Sequence, residues 1–375
     1  MGKKIPLYDL HSELGATFGE FAGWTVPLYY KSAIEEHVTV RTSVGLFDIS
    51  HMGRLMIRGP DSLELLERLF TKKLEKTKIG FMSGPTLALN EYARVKDDEM
   101  FYRISDTEWL VVPNAAVADH MREYMITKAR DYGLKVEVID LRDEYSLLAL
   151  QGPKAVEALE RVGGEDLIQL KPLEFLMNVK VGPATVYVAS RSGWTGEDGF
   201  EFWIRHSEAV KLIKELVDNG VKPVGIASRD SLRIEMGFVL GGHEYGEDPL
   251  KYPCALSLRY GLGAIDWKKT GYVGESALRA CRREGVRWIR IGLVMKKKYA
   301  RFIPRQGYLL KVEDQIVGWV TSGTFSPIIN RGIGQAYIDT RYAVLGEPVT
   351  VVREDGKRSG EAKIQDFPLI PKSFK

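Results

Sequence analysis

Carboxylates, arginines and aromatic rings are the side chains through which this chain could do chemistry. Asp97 and Asp98 stand together in NEYARVKDDEMFYRI, between two apolar stretches that read as strands. Glu201 sits in GFEFWIR, where Phe200, Phe202 and Ile204 share one strand face and Glu201, Trp203 and Arg205 share the other. Arg229 and Arg233 are spaced i,i+4 in IASRDSLRIEMG, a helix that Ser228 would open. A carboxylate can accept paired hydrogen bonds or take a proton, and aromatic rings can cover a planar ligand. Each position also has an ordinary reading, which the residue pattern alone favours. The Asp pair would be a solvated turn, Glu201 would face water, and the arginines would be solvent-facing or paired with Asp230.

Other chemistries find little support. The six histidines, His11, His37, His51, His120, His206 and His243, are scattered and lack a close His or Cys partner, so no metal site is expected. There is no GxxxxGK[ST], and the Gly-rich GWTGEDG runs into an alternating strand where a dinucleotide site needs a helix. No covalent nucleophile stands out. A net charge of +3, from 53 Lys and Arg against 50 Asp and Glu, does not call for nucleic acid. Cys254 and Cys281 have neither CxxC spacing nor a His pair, and two thiols make a poor staple for 375 residues. Reduced cysteines in a cytoplasmic protein are therefore expected. No apolar run reaches a spanning length and MGKKIPLYDL lacks a signal-peptide core, so no membrane role is expected.

The elements that must position these residues follow from periodicity. A chain of this length with 45% hydrophobic and 27% charged residues reads as several globular domains. A short amphipathic helix is predicted over 32–44, opened by Ser32, and then LFDISHMG reads as a strand entering a turn. GRLMIRG alternates as a half-buried strand, and after Gly59-Pro60-Asp61 comes the helix SLELLERLF. SLLALQGPKAVEALERV repeats this strand, Gly-Pro, helix order about 90 residues later, which suggests two related modules. VYVASRSGWTGEDGFEFWIRH gives two strands around a Gly-rich loop, and the helix HSEAVKLIKELVDNG ends at Asn219-Gly220. From about Trp288 the pattern becomes short strands and turns, an all-β domain read as a small barrel, with SGTFSP as one of its turns. The fold class is α+β.

Six segments in order resemble the glycine-cleavage T-protein family across nearly the whole chain. They are PLYDLHSELGATFGEFAGWTVPLYYKSAIEEH with GLFDISHMG, ALQGPKA, SRSGWTGEDGFEF, GIASRDSLRIEMGFVLGGHE, GYVGESAL, and VGWVTSGTFSP with GIGQAYI. The resemblance implies two interleaved α/β-sandwich-type domains, 1–49 with 144–245 and 50–143 with 246–285, and a C-terminal β barrel at 286–375. It implies an aminomethyltransferase that moves a methylene from the S-aminomethyldihydrolipoyl arm of a carrier protein (H-protein) to tetrahydrofolate, with release of ammonia. It also implies site roles: Asp98 beside the reacting nitrogens of the folate, Glu201 on the pterin edge, Arg229 near the pterin and Met52 lining the pocket. A carboxylate such as Glu201 suits the two-donor edge of a pterin, Trp194 suits its face, and Asp98 suits the cation that develops as the carbon leaves sulfur.

The chain departs from the family pattern at several points. Ala93-Arg94 stands where a Gly-Gly turn is usual, Pro85 replaces a pocket Tyr, Trp194 replaces the Tyr of GYTGE, and the C-terminal motif is blurred to DFPLIPKSF. Lys296, Lys297, Lys298 and Arg301, with Arg282, Arg283 and Arg287, could steer an acidic carrier or form a solvated face. Two rivals stay open on this scaffold: a tetrahydrofolate-dependent O-, S- or N-demethylase, and a non-catalytic folate-binding paralogue. The iron–sulfur maintenance type is disfavoured because TGYVGESAL lacks a Cys.

Overall fold

The computed structural model describes residues 2–259 and 262–371, and the chain divides into two compact units. The first comprises Met1–Leu87, Asp97–Arg229 and Ala264–Tyr272; the second comprises Ala88–Lys96, Asp230–Gly263 and Val273–Lys375.

The first unit opens with a three-stranded sheet, β1 (Lys3–Lys4), β2 (Thr17–Phe21) and β3 (Trp24–Tyr29), followed by the helix Ala33–Thr42. Ser32 is the N-cap residue of that helix, as expected, although its side chain makes no capping bond. β4 (Gly45–Asp48) begins a larger sheet that the chain then leaves. It first builds β5 (Leu55–Arg58), β6 (Met82–Leu89), β7 (Val95–Arg103), β8 (Glu108–Val111) and β9 (Glu137–Asp140), a five-stranded sheet of order β6-β7-β8-β5-β9. It returns with β10 (Tyr145–Gln151), β11 (Phe175–Val181), β12 (Ala184–Ser190), β13 (Gly199–Arg205) and β14 (Lys222–Pro223), giving the order β11-β12-β13-β10-β4-β14. One face of this six-stranded sheet carries Leu46, Leu148, Leu150, Phe200, Phe202 and Ile204 into a core shared with the helix His206–Asp218. Fully burying a side chain of this kind contributes about 1.5–3 kcal/mol each, so the alternation seen in GFEFWIR fixes which way β13 faces.

The two strand, Gly-Pro, helix units are built alike. Gly59 and Gly152 have φ of 138° and 139°, and each carbonyl accepts from the amide three residues on, Ser62 and Ala155, at 3.1 and 3.0 Å. A Cβ at either glycine would meet a carbonyl oxygen, of Lys135 or of Ser43. Only glycine combines that backbone angle with that close approach. GRLMIRG is more deeply buried than a half-buried strand, because Arg54 and Met56 are covered and only Arg58 reaches water.

The second unit contains the expected β domain. β15 (Trp288–Met295), β16 (Leu309–Val312), β17 (Gln315–Ser326), β18 (Arg331–Asp339), β19 (Pro348–Val352) and β20 (Ser359–Gln365) close into a barrel of order β15-β18-β17-β16-β19-β20. Its interior is apolar, with Leu293, Val320, Ala336, Val351 and Ala362 fully covered. SGTFS is strand rather than turn: Ser322 to Ser326 pair with Arg331 to Gln335, extending β17 to twelve residues. Ser322 Oγ accepts from Arg233 Nη2 at 2.7 Å, and Arg233 also binds Asp230 and the buried Glu244. Arg233 thus pairs with Asp230, as one ordinary reading has it, but is fully buried rather than solvent-facing.

The expectation of reduced cysteines is overturned. Cys254 and Cys281 form a disulfide within the second unit, with Cα atoms 6.8 Å apart and a sequence separation of 27. Closing a loop of that length constrains the unfolded chain by about 3.5 kcal/mol. Their sequence spacing carries no sign of it, because the helix Glu275–Glu284 folds Cys281 back onto the Cys254 segment. Among the described residues no helix is long and apolar enough to cross a membrane, and no group of three or more His, Cys, Asp or Glu is placed to hold a metal ion.

Candidate functional site

The face of the six-stranded sheet opposite the apolar core is also covered, and the sequence-selected residues meet there. Ser190 on β12, Glu201 on β13, Ala149 on β10 and Phe47 on β4 form one cross-strand row. Directly opposed residues point to the same face, so Glu201 and Phe47 share a surface. The reading of Glu201 as a water-facing residue is corrected. It is half-buried, and Trp203, on its side of the strand, is fully buried with Tyr102 packed edge-on at 5.7 Å. Ser192 Oγ donates to Glu201 Oε2 at 2.6 Å, and Ser190 Oγ lies 2.8 Å from Ser192 Oγ and 3.4 Å from the Tyr102 hydroxyl. Burial, and then the charge of Glu201, push the Tyr102 phenol above its ordinary range, so it stays a neutral donor.

Arg229 lies over this row. Its guanidinium carbon is 5.7 Å from the Phe47 ring centre and 5.3 Å from that of Trp194. The residue is 8% exposed, and Nη1 has no hydrogen-bond partner among the described residues. Burial pulls the guanidinium below its ordinary range while the charge of Glu201 opposes that. A buried cation with one unpartnered donor nitrogen is not a solvated helix position, and its chemistry suits a polar ligand edge. Trp194 is held ready for it by a loop pinned from two sides. Arg41 Nη1 donates to Thr195 O and Glu197 Oε1, both at 2.7 Å, while Gln151 Nε2 donates to Ser192 O at 2.9 Å and Gln151 Oε1 accepts from Thr195 Oγ1 at 2.8 Å.

Met52 is half-buried in the turn after β4. That turn is held by Asp48, whose Oδ1 accepts from Ser50 N at 2.8 Å and whose Oδ2 pairs with His11 Nε2 at 2.8 Å. Burial opposes ionisation of Asp48, yet the His11 hydrogen bond and charge, with Ser50, hold it below the usual carboxylate range. Beside Met52, His51 is pushed down to about 3 by burial and then by the Arg229 charge, so the ring is neutral. Its Nδ1 has no partner among the described residues.

Asp97 and Asp98 lie inside β7 rather than in a turn, which corrects the solvated-turn reading; the turn falls earlier, at Glu91–Arg94. Alternation buries Val95, Asp97 and Glu99 and leaves Asp98 half-buried on the face that also carries Tyr102. Asn114 organises the pair. Its amide N donates to Asp97 Oδ2 at 2.9 Å, and its Nδ2 donates to Asp97 Oδ1 at 2.7 Å and to Asp98 Oδ1 at 3.1 Å. Glu99, 1% exposed, is pushed well above the carboxylate range by burial and then by the Asp97 charge, so it is a neutral acid.

The fold therefore brings Glu201, Arg229 and Trp194 into one cluster. Asp98 is linked to them through β7, whose Tyr102 reaches the Ser190 and Glu201 group about 13 Å further along the strand. Met52 is linked through His51, which feels the Arg229 charge. Pro85 is half-buried in β6. Sequence reasoning misses Tyr102, Asn114, Ser192 and His51 as members of this site. A histidine judged only as a metal ligand gives no warning, and a serine in a Gly-rich loop looks like ordinary turn chemistry.

Comparison with known proteins agrees with this architecture. Residues 7–259 match the GCVT N-terminal domain, and residues 290–370 match the glycine cleavage T-protein C-terminal barrel domain. The chain is 65% identical over 366 residues to a probable aminomethyltransferase of Aeropyrum pernix, covering 97% of each protein. It is 37% identical over 378 residues to the aminomethyltransferase of Caldanaerobacter subterraneus subsp. tengcongensis, covering 100% of this chain and 97% of that one. The crystal structure of the glycine cleavage system aminomethyltransferase T from Bartonella henselae superposes with a TM-score of 0.87 at 31% identity, covering 99% of this chain and 98% of that one. With both halves of the chain matched at these levels, it belongs to the glycine cleavage T-protein family of aminomethyltransferases.

Proposed function

We propose that this aminomethyltransferase uses tetrahydrofolate as co-substrate, accepting the methylene from the S-aminomethyldihydrolipoyl arm of a lipoyl carrier protein, the H-protein of glycine cleavage. The observation that carries the reading is the buried Arg229 within the electrostatic reach of Glu201, beside Trp194 and Phe47. A pterin offers an amino group next to a ring N–H, and a carboxylate accepts both. Ser192 donates to Glu201 Oε2 and so fixes the plane of the carboxylate, whose two oxygens have lone-pair capacity beyond that bond. Trp194 would cover the ring face, Arg229 would donate to a pterin oxygen, and Met52 would close the apolar wall.

In the reaction two bonds to the carbon break, to sulfur and to the ammonia nitrogen, and two form to folate nitrogens. The two folate N–H protons go to the thiol and to ammonia, which leaves as ammonium. No enzyme nucleophile is needed, so the rate gain comes from holding two reactants in reach and from stabilising the passing cation. Asp98 is suited to that second task, being half-buried and aimed by Asn114, with the neutral Glu99 beside it in the strand. The same reading keeps the three-domain division given above and a cytoplasmic setting, where the disulfide would need shielding from the thiol pool.

The test is a single-turnover assay with purified protein, tetrahydrofolate and an aminomethyl-loaded lipoyl carrier, following ammonia and methylenetetrahydrofolate. Folate-dependent ammonia release is the expected result. Tight folate binding without it would turn the assignment of the donor toward a methylated small molecule.

A further inference from the structure

The second unit holds a cavity of about 340 Å³, the size of a small-molecule site. Arg94, Lys251 and Arg287 line it together with Ser257, Trp288 and Trp319, and no carboxylate does. Two of the cations have partners: Arg287 Nε lies 3.2 Å from Asp339 Oδ2, and Lys251 Nζ lies 3.8 Å from Asp248 Oδ2. Arg94 has no carboxylate partner among the described residues. Its Nη1 donates to Tyr92 O at 3.0 Å, and its Nε is buried without a partner among the described residues. The Ser257 hydroxyl, on a fully buried residue, is likewise unsatisfied among the described residues. Such groups lose their water on folding and gain nothing in return unless a ligand supplies acceptors.

The fold brings these two groups to one place deliberately. Asn90 Oδ1 accepts from Tyr92 N at 3.0 Å and from Arg94 N at 2.9 Å, forming the turn. Ala93 sits at φ 55°, a left-handed angle that disfavours any residue with a Cβ. Its carbonyl accepts from Ala255 N at 2.8 Å, which ties the Arg94 turn to the segment carrying Ser257. Trp288 and Trp319 pack edge to face at 4.9 Å and supply aromatic surface.

We infer that this cavity is a second ligand site, taking a small organic anion whose carboxylate or phosphate sits on Arg94 and Ser257 and whose planar body rests against Trp288 and Trp319. It is independent of the folate reading, since none of its residues belongs to the first unit.

Calorimetric titration and tryptophan fluorescence of the full chain test it with two charged probes, adenosine monophosphate and benzoate, and their neutral counterparts, adenosine and benzamide. At least one charged probe is expected to bind with Kd of about 1 mM or tighter, its counterpart about tenfold more weakly or worse. The stronger of the two charged probes distinguishes phosphate from carboxylate. Arg94→Gln should weaken that probe about tenfold and Arg94→Lys should recover part of the loss, with thermal unfolding showing that both variants fold. Failure of both charged probes near 10 mM, equal binding of the neutral ones, or an unchanged affinity in Arg94→Gln would overturn the inference.

Discussion

The side-chain amide of Asn114 spans two carboxylates, donating to Asp97 Oδ1 at 2.7 Å and to Asp98 Oδ1 at 3.1 Å. Asp98 is therefore aimed by a neighbour strand end rather than left to rotate. Asp98→Asn should keep folate affinity within several-fold while turnover falls about tenfold or more, because shape survives and charge does not. Single-turnover rates beside folate titrations check this, and undiminished turnover would remove Asp98 from the reaction centre.

Glu201→Ala should weaken folate binding by about 2 kcal/mol or more, the usual loss for a charge-assisted pair. Since Ser192 and Tyr102 gather around the carboxylate, Glu201→Gln is the informative companion: it keeps the Ser192 contact and reverses half of the acceptor pattern. Equal affinity of both variants with the parent would sink the pterin-edge role.

Arg229→Ala should lower folate affinity, and Arg229→Lys should not restore it, because an ammonium lacks the planar face that stacks on Trp194 at 5.3 Å. Circular dichroism and thermal unfolding separate this from misfolding, which the burial of the residue makes a necessary control.

Glu99 sets a stability trend with pH. Its carboxyl is raised in the folded state, so the folded protein holds a proton that the unfolded chain releases near its ordinary value of about 4.3. Stability from this group is complete below that value and declines as pH rises toward the folded pKa. Glu99→Gln should therefore flatten the profile and raise the unfolding temperature at neutral pH. A variant that unfolds with the parent's pH slope would contradict this.

Lys297, Lys298 and Arg301 are exposed on the second unit, while Lys296 pairs with Glu361 and Arg287 with Asp339. If this face receives an acidic carrier, the apparent affinity should fall as ionic strength rises through the range where the screening length drops to about 8 Å. A flat response to salt would count against docking there.

Periodicity in the chain by itself determined the β tail, the strand, Gly-Pro, helix pair and the division of β13 into a core face and a second face. Those are local properties: alternation at period two and the Gly-Pro break between strand and helix can be read along one segment. Family resemblance selected Asp98, Glu201, Arg229, Met52 and Trp194, but it could not say what surrounds them. Whether Glu201 faced water or a protein wall depended on Tyr102, which arrives from a different sheet, and whether Asp98 lay in a turn depended on where β7 began. The disulfide and the unsatisfied Arg94 and Ser257 were equally hidden, since each arises from segments far apart in sequence. Tertiary structure decided these because burial and partnership are properties of the space between elements, and a single chain segment carries only one side of each contact.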